Sequence, residues 1–267
     1  MKIILSPAKK MVINTDGIEP KGLPAFLNQT AQIAAWLKSK SDEDLRALWK
    51  CNEKIAKQNC ERLEKMDLYQ QLTPAILAYE GIAYQYMAPV VFEERQFEYV
   101  QEHLRILSAF YGVLKPMDGV TPYRLEMQAK AAIGNTKNLY DYWGDRLYHA
   151  VRDESGIIIN LASKEYAKCI ETYLSLEDTY ITVTFCESVN GKLVTKGTYA
   201  KMARGEMVRY MAEKGIEDAE ELKQFDRLGY VYRPNLSSNT EYIFERVNKI
   251  SISDRGKLLC YKKADSL

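Results

Sequence analysis

Two apolar runs, far apart in the chain, constrain the fold most. Ile3-Ile4-Leu5 is stopped at once by Ser6-Pro7, and Ile157-Ile158-Ile159 recurs in the second half between Gly156 and Asn160. Short continuous runs of this kind, bounded by Pro, Gly or Asn, read as strands buried in a sheet. Pro7 cannot donate to a ladder and keeps Ser6 out of helical geometry, so the first strand ends there. The block between the runs reads as mostly helical. The expectation is one mixed α/β domain over residues 1–247, its N-terminal strand joining a sheet built largely by the second half and flanked by helices. Two domains divided near residue 150 are the alternative.

The first strand end also carries chemistry. Ser6, Lys9 and Lys10 fall at the mouth of the expected sheet, where α/β proteins bind ligands in crevices. A hydroxyl beside a cation suits an anion. A plain strand followed by solvated lysines would read the same way, so the rest of the chain must decide.

Bulk composition excludes several classes. Of 267 residues, 46% are apolar and 27% charged, and the formal charge is +1. Any grip on nucleic acid must therefore come from a local patch. The chain opens in a strand, without a charged leader and apolar core, and no window has the apolar length of a membrane span; the expected compartment is the cytoplasm, with no membrane partner. Five cysteines, Cys51, Cys60, Cys169, Cys186 and Cys260, form no Cys-x-x-Cys and suit reduced thiols. His103 and His149 stand far apart, so no transition-metal site and no cofactor are expected.

Periodicity supplies the remaining elements. Helices are expected over Leu27 to Lys38, after Ser41-x-x-Asp44, and after Thr73-Pro74. The strongest stripe, Phe97, Val100, Leu104, Leu107 and Tyr111, predicts one helix from Glu93 to Tyr111 capped by Gly112. Tyr180 to Cys186 alternates as a strand, Asn190-Gly191 is a hairpin turn, and Lys192 to Tyr199 should pair back on it. A helix follows from near Tyr199, with Ala203, Met207, Tyr210 and Met211 as its buried stripe. Glu241 to Val247 reads as a final strand, and residues 248–267 as a loosely held polar tail.

Several segments group chemistry-bearing residues. After Gly112 comes a Gly/Pro-rich connection through Lys115 to Arg124 and Glu126, which lie two apart and share a face in extended chain. Two helices joined by such a hairpin would offer backbone amides to phosphate; a structural turn with an Arg–Glu pair is the plain alternative. In Leu139-Tyr-Asp-Tyr-Trp-Gly-Asp145, Tyr140 and Trp143 could stack on a base and Asp145 act as acid or base, or the rings could be core anchors and Asp145 a helix cap. Asn160 and Ser163 follow the Ile157–Ile159 run, with Ser163 placed as an N-cap. Lys201 and Arg204, three apart, are neighbours on the most cationic helix, which also bears Arg209. Ser237, Ser238 and Asn239 precede the last strand and make an ordinary turn. With no Gly-x-Gly-x-x-Gly, P-loop or Gly-x-Ser-x-Gly, these groups suggest a polyanion or nucleotide-like ligand and identify no reaction.

Taken in order, Leu5-Ser-Pro-Ala-Lys9, Leu104-Arg-x-Leu-Ser-x-x-Tyr-Gly-Val-Leu-Lys-Pro116, Pro122-Tyr-Arg-Leu-Glu-Met127, Leu139-Tyr-x-x-Trp-Gly-Asp145, Asn160-Leu-Ala-Ser-x-Glu-Tyr166, Lys201-x-Ala-Arg-Gly205 and Ser237-Ser-Asn239 resemble the YaaA family of bacterial peroxide-stress proteins. The resemblance runs from residue 1 to about 247. It implies a cytosolic protein that limits damage from hydrogen peroxide and unincorporated iron, with a positively charged cleft and a helix-hairpin-helix-like element suited to DNA. By position that element would be Tyr111 to Arg124, and the cleft would be lined by Lys9, Arg124, Lys201 and Arg204. The anion-contacting set is then Ser6, Lys9, Tyr111, Gly112, Lys115, Arg124, Lys201 and Arg204. Tyr140, Trp143, Asn160, Ser163, Ser237, Ser238 and Asn239 would form an aromatic and polar pocket. Two departures stand out: Tyr86 replaces a usual glycine, which would reshape one pocket wall, and the tail is long. Three readings of function follow: DNA binding, an enzyme acting on a nucleoside, nucleotide or DNA base through Glu126 or Asp145, and, ranked last, iron sequestration.

Overall fold

The computed structural model describes residues 1–247; the expectation for 248–267 lies outside them. Eight strands form the main sheet: β1 (Lys2–Leu5), β2 (Leu104–Ser108), β3 (Gly112–Leu114), β4 (Ile157–Asn160), β5 (Thr179–Val189), β6 (Lys192–Val194), β7 (Tyr230–Tyr232) and β8 (Glu241–Arg246). Their spatial order is β7-β8-β5-β4-β1-β2-β3, with β6 paired to β5. The five inner strands run parallel, and β3, β6 and β7 are antiparallel additions. Helices cover this mostly parallel sheet and the fold is a single mixed α/β domain.

β1 sits at the centre because its residues can tolerate no water on either face. Ile3 lies opposite Leu104 on one side and Ile159 on the other, and all three are fully buried. Burial alternates along β5 up to Phe185, after which Cys186 and Glu187 are buried as well and Ser188 and Val189 are exposed, and Asn190 and Gly191 both take positive φ in the β5–β6 hairpin, as the Asn-Gly turn requires.

The long helix expected from Glu93 to Tyr111 does not exist. The helix spans Glu94–His103, and Leu104 turns out of it into β2. The stripe residues Leu104 and Leu107 are buried, as a helix would have them, but so are Arg105 and Ile106 between them and Ser108 after them. A surface helix buries one stripe, whereas a strand between two neighbours buries every residue, so pairing with β1 overrides the 3.6-residue pattern. Gly112 does take φ +77°, but in the β2–β3 turn and not at a helix end. A Cβ there would sit 2.9 Å from Trp143 Cζ3 and 3.0 Å from a Phe26 ring carbon.

The expected helix-hairpin-helix over Tyr111 to Arg124 is therefore corrected as well: that segment is strand and turn, with Gly119–Val120 pairing antiparallel to Thr73–Pro74. Thr73-Pro74 accordingly starts a strand, followed by one helical turn at Ala75–Ala78. Two helices joined by a tight connection occur elsewhere, at Asp42–Trp49 and Glu53–Glu64. Lys50 takes a left-handed conformation between them, and Ser41 and Asn52 accept capping hydrogen bonds from Asp44 N and Ile55 N. The strand after Gly191 is short, and the most cationic helix runs over Gly197–Lys214.

One buried carboxylate, Asp178, ties the segment Tyr148 to Arg152 to the turn that enters β5. Burial opposes ionisation of Asp178, but hydrogen bonds from Tyr148, Ser175 and Arg152 outweigh it and hold the carboxyl at about 2. Because this value is depressed from 3.8, the contribution to stability is complete above that pH and disappears as pH falls toward about 2. Acid unfolding followed by circular dichroism should show this loss, and Asp178→Asn should remove it from the pH profile.

Candidate functional site

β2 and β4 lie on opposite sides of β1, so the connections leaving the ends of β1 and β4 part company and open a crevice there. Ligands in open α/β sheets bind at such switch points. Here a cavity of about 390 Å³ lies at the ends of β1 and β4, walled by Leu5 to Lys10, Leu161 and Ser163, and closed over by Glu80 to Tyr84, Tyr123 to Glu126 and the Gly197–Lys214 helix.

The floor is a pair of serines. Ser6 Oγ accepts from Ser163 N at 2.8 Å and donates to Ser163 Oγ at 3.1 Å, while Tyr84 Oη donates to the Ser6 carbonyl at 3.0 Å. Ser163 precedes the helix Lys164–Glu171 in N-cap position, as expected, yet its side chain makes no capping bond. That oxygen faces Ser6 instead. The helix start thus stands beside the cavity with Ser163 and Glu165 in the lining.

The lining carries Lys9, Lys10, Arg124, Lys201 and Arg204 against Glu80, Glu126 and Glu165. These charges divide into two groups. Glu126 engages Lys9 at 2.7 Å and Arg124 at 3.3 Å, and Glu80 engages Lys10 at 2.7 Å. Lys201 and Arg204 form no ion pair among the described residues. Arg204 Nε is buried without a hydrogen-bond partner, as is Arg124 Nε, and burial draws the Arg204 guanidinium below its ordinary value. A guanidinium N–H sealed from water without an acceptor is costly unless a ligand supplies one.

Tyrosines form the inner wall. Tyr123 Oη lies 2.7 Å from Ser108 Oγ and 2.9 Å from Tyr79 Oη, and its ring stacks on Phe110. Burial raises Tyr123 to about 12 and raises Tyr79 and Tyr84 too, so all three phenols are neutral at physiological pH.

Of the residues singled out from sequence, Ser6, Lys9, Lys10, Arg124, Glu126, Ser163, Lys201 and Arg204 meet in this cavity. The others lie elsewhere. Tyr111 is buried in the core, its hydroxyl exchanging hydrogen bonds with Thr121 backbone, and Gly112 packs on Trp143. Lys115 lines a different cavity. Trp143 is fully buried with Nε1 donating to Ala109 O, so the core-anchor reading holds for that ring, whereas Tyr140 is half-buried at the edge of the core, with its Oη donating to the Glu165 carbonyl and Lys168 over its ring. Asn160 is buried and closes β4 by accepting from Ala162 N. Ser237 and Ser238 bond within their own turn before β8, and Asn239 stands with them away from the cavity. Asp145 pairs with His149 at the surface. Tyr86 is not part of the lining, so the departure there does not reshape the pocket wall. Sequence reasoning missed Glu80, Tyr84, Glu165 and Tyr166 as lining residues; only the last two stood inside a quoted motif.

The last residue of Lys201-x-Ala-Arg-Gly205 has a steric reason. A Cβ on Gly205 would lie 1.9 Å from the Ala83 carbonyl oxygen, so only glycine lets this helix press on the Ile82–Met87 helix and carry Arg204 into the cavity. Gly205→Ala should force the helices apart, lowering the melting temperature by several degrees. It should also weaken whatever anion the cavity holds. Scanning calorimetry and anion titration of the variant check both.

Among the described residues, no helix is long and apolar enough to cross a membrane, and no group of three or more His, Cys, Asp or Glu could hold a metal ion. Comparison with known proteins matches residues 1–236 to the family model described as peroxide stress protein YaaA. A UPF0246 protein of Agathobacter rectalis is 70% identical over 92% of this chain and 99% of its own length. UPF0246 proteins of Lachnoclostridium phytofermentans and Desulfitobacterium hafniense are 54% and 52% identical, each over 91% of this chain and 96% and 97% of their own lengths. The chain that gathers Ser6, Arg124, Ser163 and Arg204 around one crevice belongs to the YaaA family of peroxide stress proteins.

Proposed function

We propose that this protein serves the cytoplasmic peroxide response by holding DNA through the switch-point cavity, shielding it from damage by hydrogen peroxide and unincorporated iron. The observation that carries the reading is the unpartnered Arg204 guanidinium beside Lys201 and the Ser6–Ser163 pair. Guanidinium, ammonium and hydroxyl donors on one concave wall match a phosphate diester. A volume of about 390 Å³ takes one phosphate and its sugar, at the low end of small-molecule sites. Backbone contacts of this kind make affinity depend on salt through counterion release.

Fluorescence anisotropy with a labelled duplex tests this. Engaging the one phosphate that the cavity holds gives a slope of log K against log salt of roughly −1. Arg204→Ala should weaken binding about tenfold, the worth of one charge-assisted hydrogen bond. Salt-independent binding, or none at low salt, would end the proposal.

A specific observation also favours a second reading. Glu126 stands inside the cavity between Lys9 and Arg124, where a carboxylate could move a proton on a bound nucleotide or base. Asp145, the other candidate, is outside it. Glu126→Gln separates the readings. For a DNA-holding site it releases two cations and raises affinity several-fold at low salt. For an enzyme it abolishes turnover, read by mass spectrometry of nucleotides and damaged oligonucleotides incubated with wild type and variant.

A further inference from the structure

Lys115 takes no part in the switch-point cavity. It lines a second one, of about 290 Å³, together with Lys21, Gly22, Gln101, Arg105 and Asp118, and the two cavities share no lining residue. Arg105 and Asp118 are each only 7% exposed, yet they form no ion pair with one another. Arg105 Nη1 donates to the carbonyls of Gln101 at 3.1 Å and Leu104 at 2.8 Å. Its Nε and Nη2 donate to nothing among the described residues. Asp118 Oδ2 accepts from Lys115 N at 2.8 Å, while Oδ1 accepts nothing among the described residues and lies on the Gly22 side. Burial accordingly lifts the Asp118 carboxyl to about 6, against the pull of the Lys115 amide and of the Lys115 and Arg105 charges.

Two buried opposite charges that served structure alone would close on each other, since removing both from water is compensated only by direct contact. Here they line one cavity without an ion pair, one offering N–H groups and the other an oxygen that bond to nothing among the described residues, with Lys21 and Lys115 at the same wall. The loop that bears Asp118 is held in place independently, by Gln101 Oε1 on Met117 N and by the backbone bonds of Lys21 N to Met117 O and Gly119 N to Gly22 O. The cavity is therefore built in.

We propose that this cavity binds a small organic acid carrying an adjacent hydrogen-bond donor, an α-amino or α-hydroxy acid, with its carboxylate on Arg105 and Lys115 and its N–H or O–H on Asp118 Oδ1. A guanidinium edge recognises a planar carboxylate in this way, and Asp118 distinguishes such an acid from a simple one. The site is separate from the DNA-holding reading and does not depend on it.

Amide NMR titrations of the full ¹⁵N-labelled chain with glycine, glycolate and acetate test the assignment. Glycine and glycolate should shift the Lys115 and Asp118 amides and bind about tenfold more tightly than acetate, the effect of one charge-assisted hydrogen bond. Asp118→Asn should erase that preference, and Lys115→Met, at an exposed side chain, should weaken all three. Arg204→Ala should change nothing. The proposal is overturned if none of the three acids shifts these amides, if acetate binds as well as glycolate, or if Arg204→Ala abolishes the shifts.

Discussion

Parallel pairing of β1 between β2 and β4 is the constraint on which everything else rests. Four residues from the start of the chain supply the central strand of a sheet whose neighbours come from positions 104 and 157 onward. Apolar burial on both faces fixes this arrangement, because a slip of one residue would place Lys2 where Ile3 meets Leu104 and Ile159. Fixing β1 also fixes where it stops. Leu161 N bonds to Ile4 O, carrying the ladder one residue past β4, and the Ser6–Ser163 bonds close the seam at the switch point. The crevice is a consequence of strand order, and its floor consists of the first polar residues that follow the apolar runs.

Above that floor the charges are not equivalent. Glu126 and Glu80 already serve Lys9, Arg124 and Lys10, so an incoming anion must compete for those cations. Lys201 and Arg204 face no such competitor among the described residues. Arg204 is half-buried, with its Nε sealed from water and unpartnered, which is costly, and a mobile helix would escape the cost by turning Arg204 toward water. The Gly205–Ala83 contact prevents that, since the two helices meet at backbone distance and cannot roll over one another. Rigid packing and an unsatisfied cation therefore belong together: the first maintains the second.

Much of this was legible from the residues themselves. The apolar runs at residues 3 and 157 identified partners in one sheet, and Ser6, Ser163, Lys201 and Arg204 stood at element ends or on one helix face, where position follows from local spacing. The segment from 104 to 124 was misread because its apolar residues satisfy a helical stripe and a doubly buried strand alike, and nothing local reveals that β1 will lie beside it. Aromatic residues misled for a related reason. Trp143 and Tyr140 have the composition of a stacking platform, but a ring that packs on Phe26 and Gly112 is indistinguishable in sequence from one held ready for a base. Glu80 and Tyr84 carried no signal, since Glu80 reaches the crevice only because Tyr79–Glu80 pairs with Lys10–Met11, and Tyr84 only through the packing of the Ile82–Met87 helix against the Gly197–Lys214 helix.

These relocations bear on what kind of DNA contact the proposed reading allows. With Tyr111 to Arg124 folded as strand and turn, that segment presents no pair of helix N-termini, and the phosphate must be met by side chains drawn from four separate parts of the chain. With Trp143 in the core and Tyr140 outside the crevice, its ring under Lys168, neither ring stands where a base held in the crevice would stack. The donors that remain in the crevice recognise phosphate and sugar, which are the same at every position of a duplex and carry no sequence information. A site built this way discriminates by charge and by the shape of the backbone, so the DNA contact proposed above would be indifferent to base sequence. That is what a protective role spread over a whole genome requires, and what a regulator of particular genes could not use.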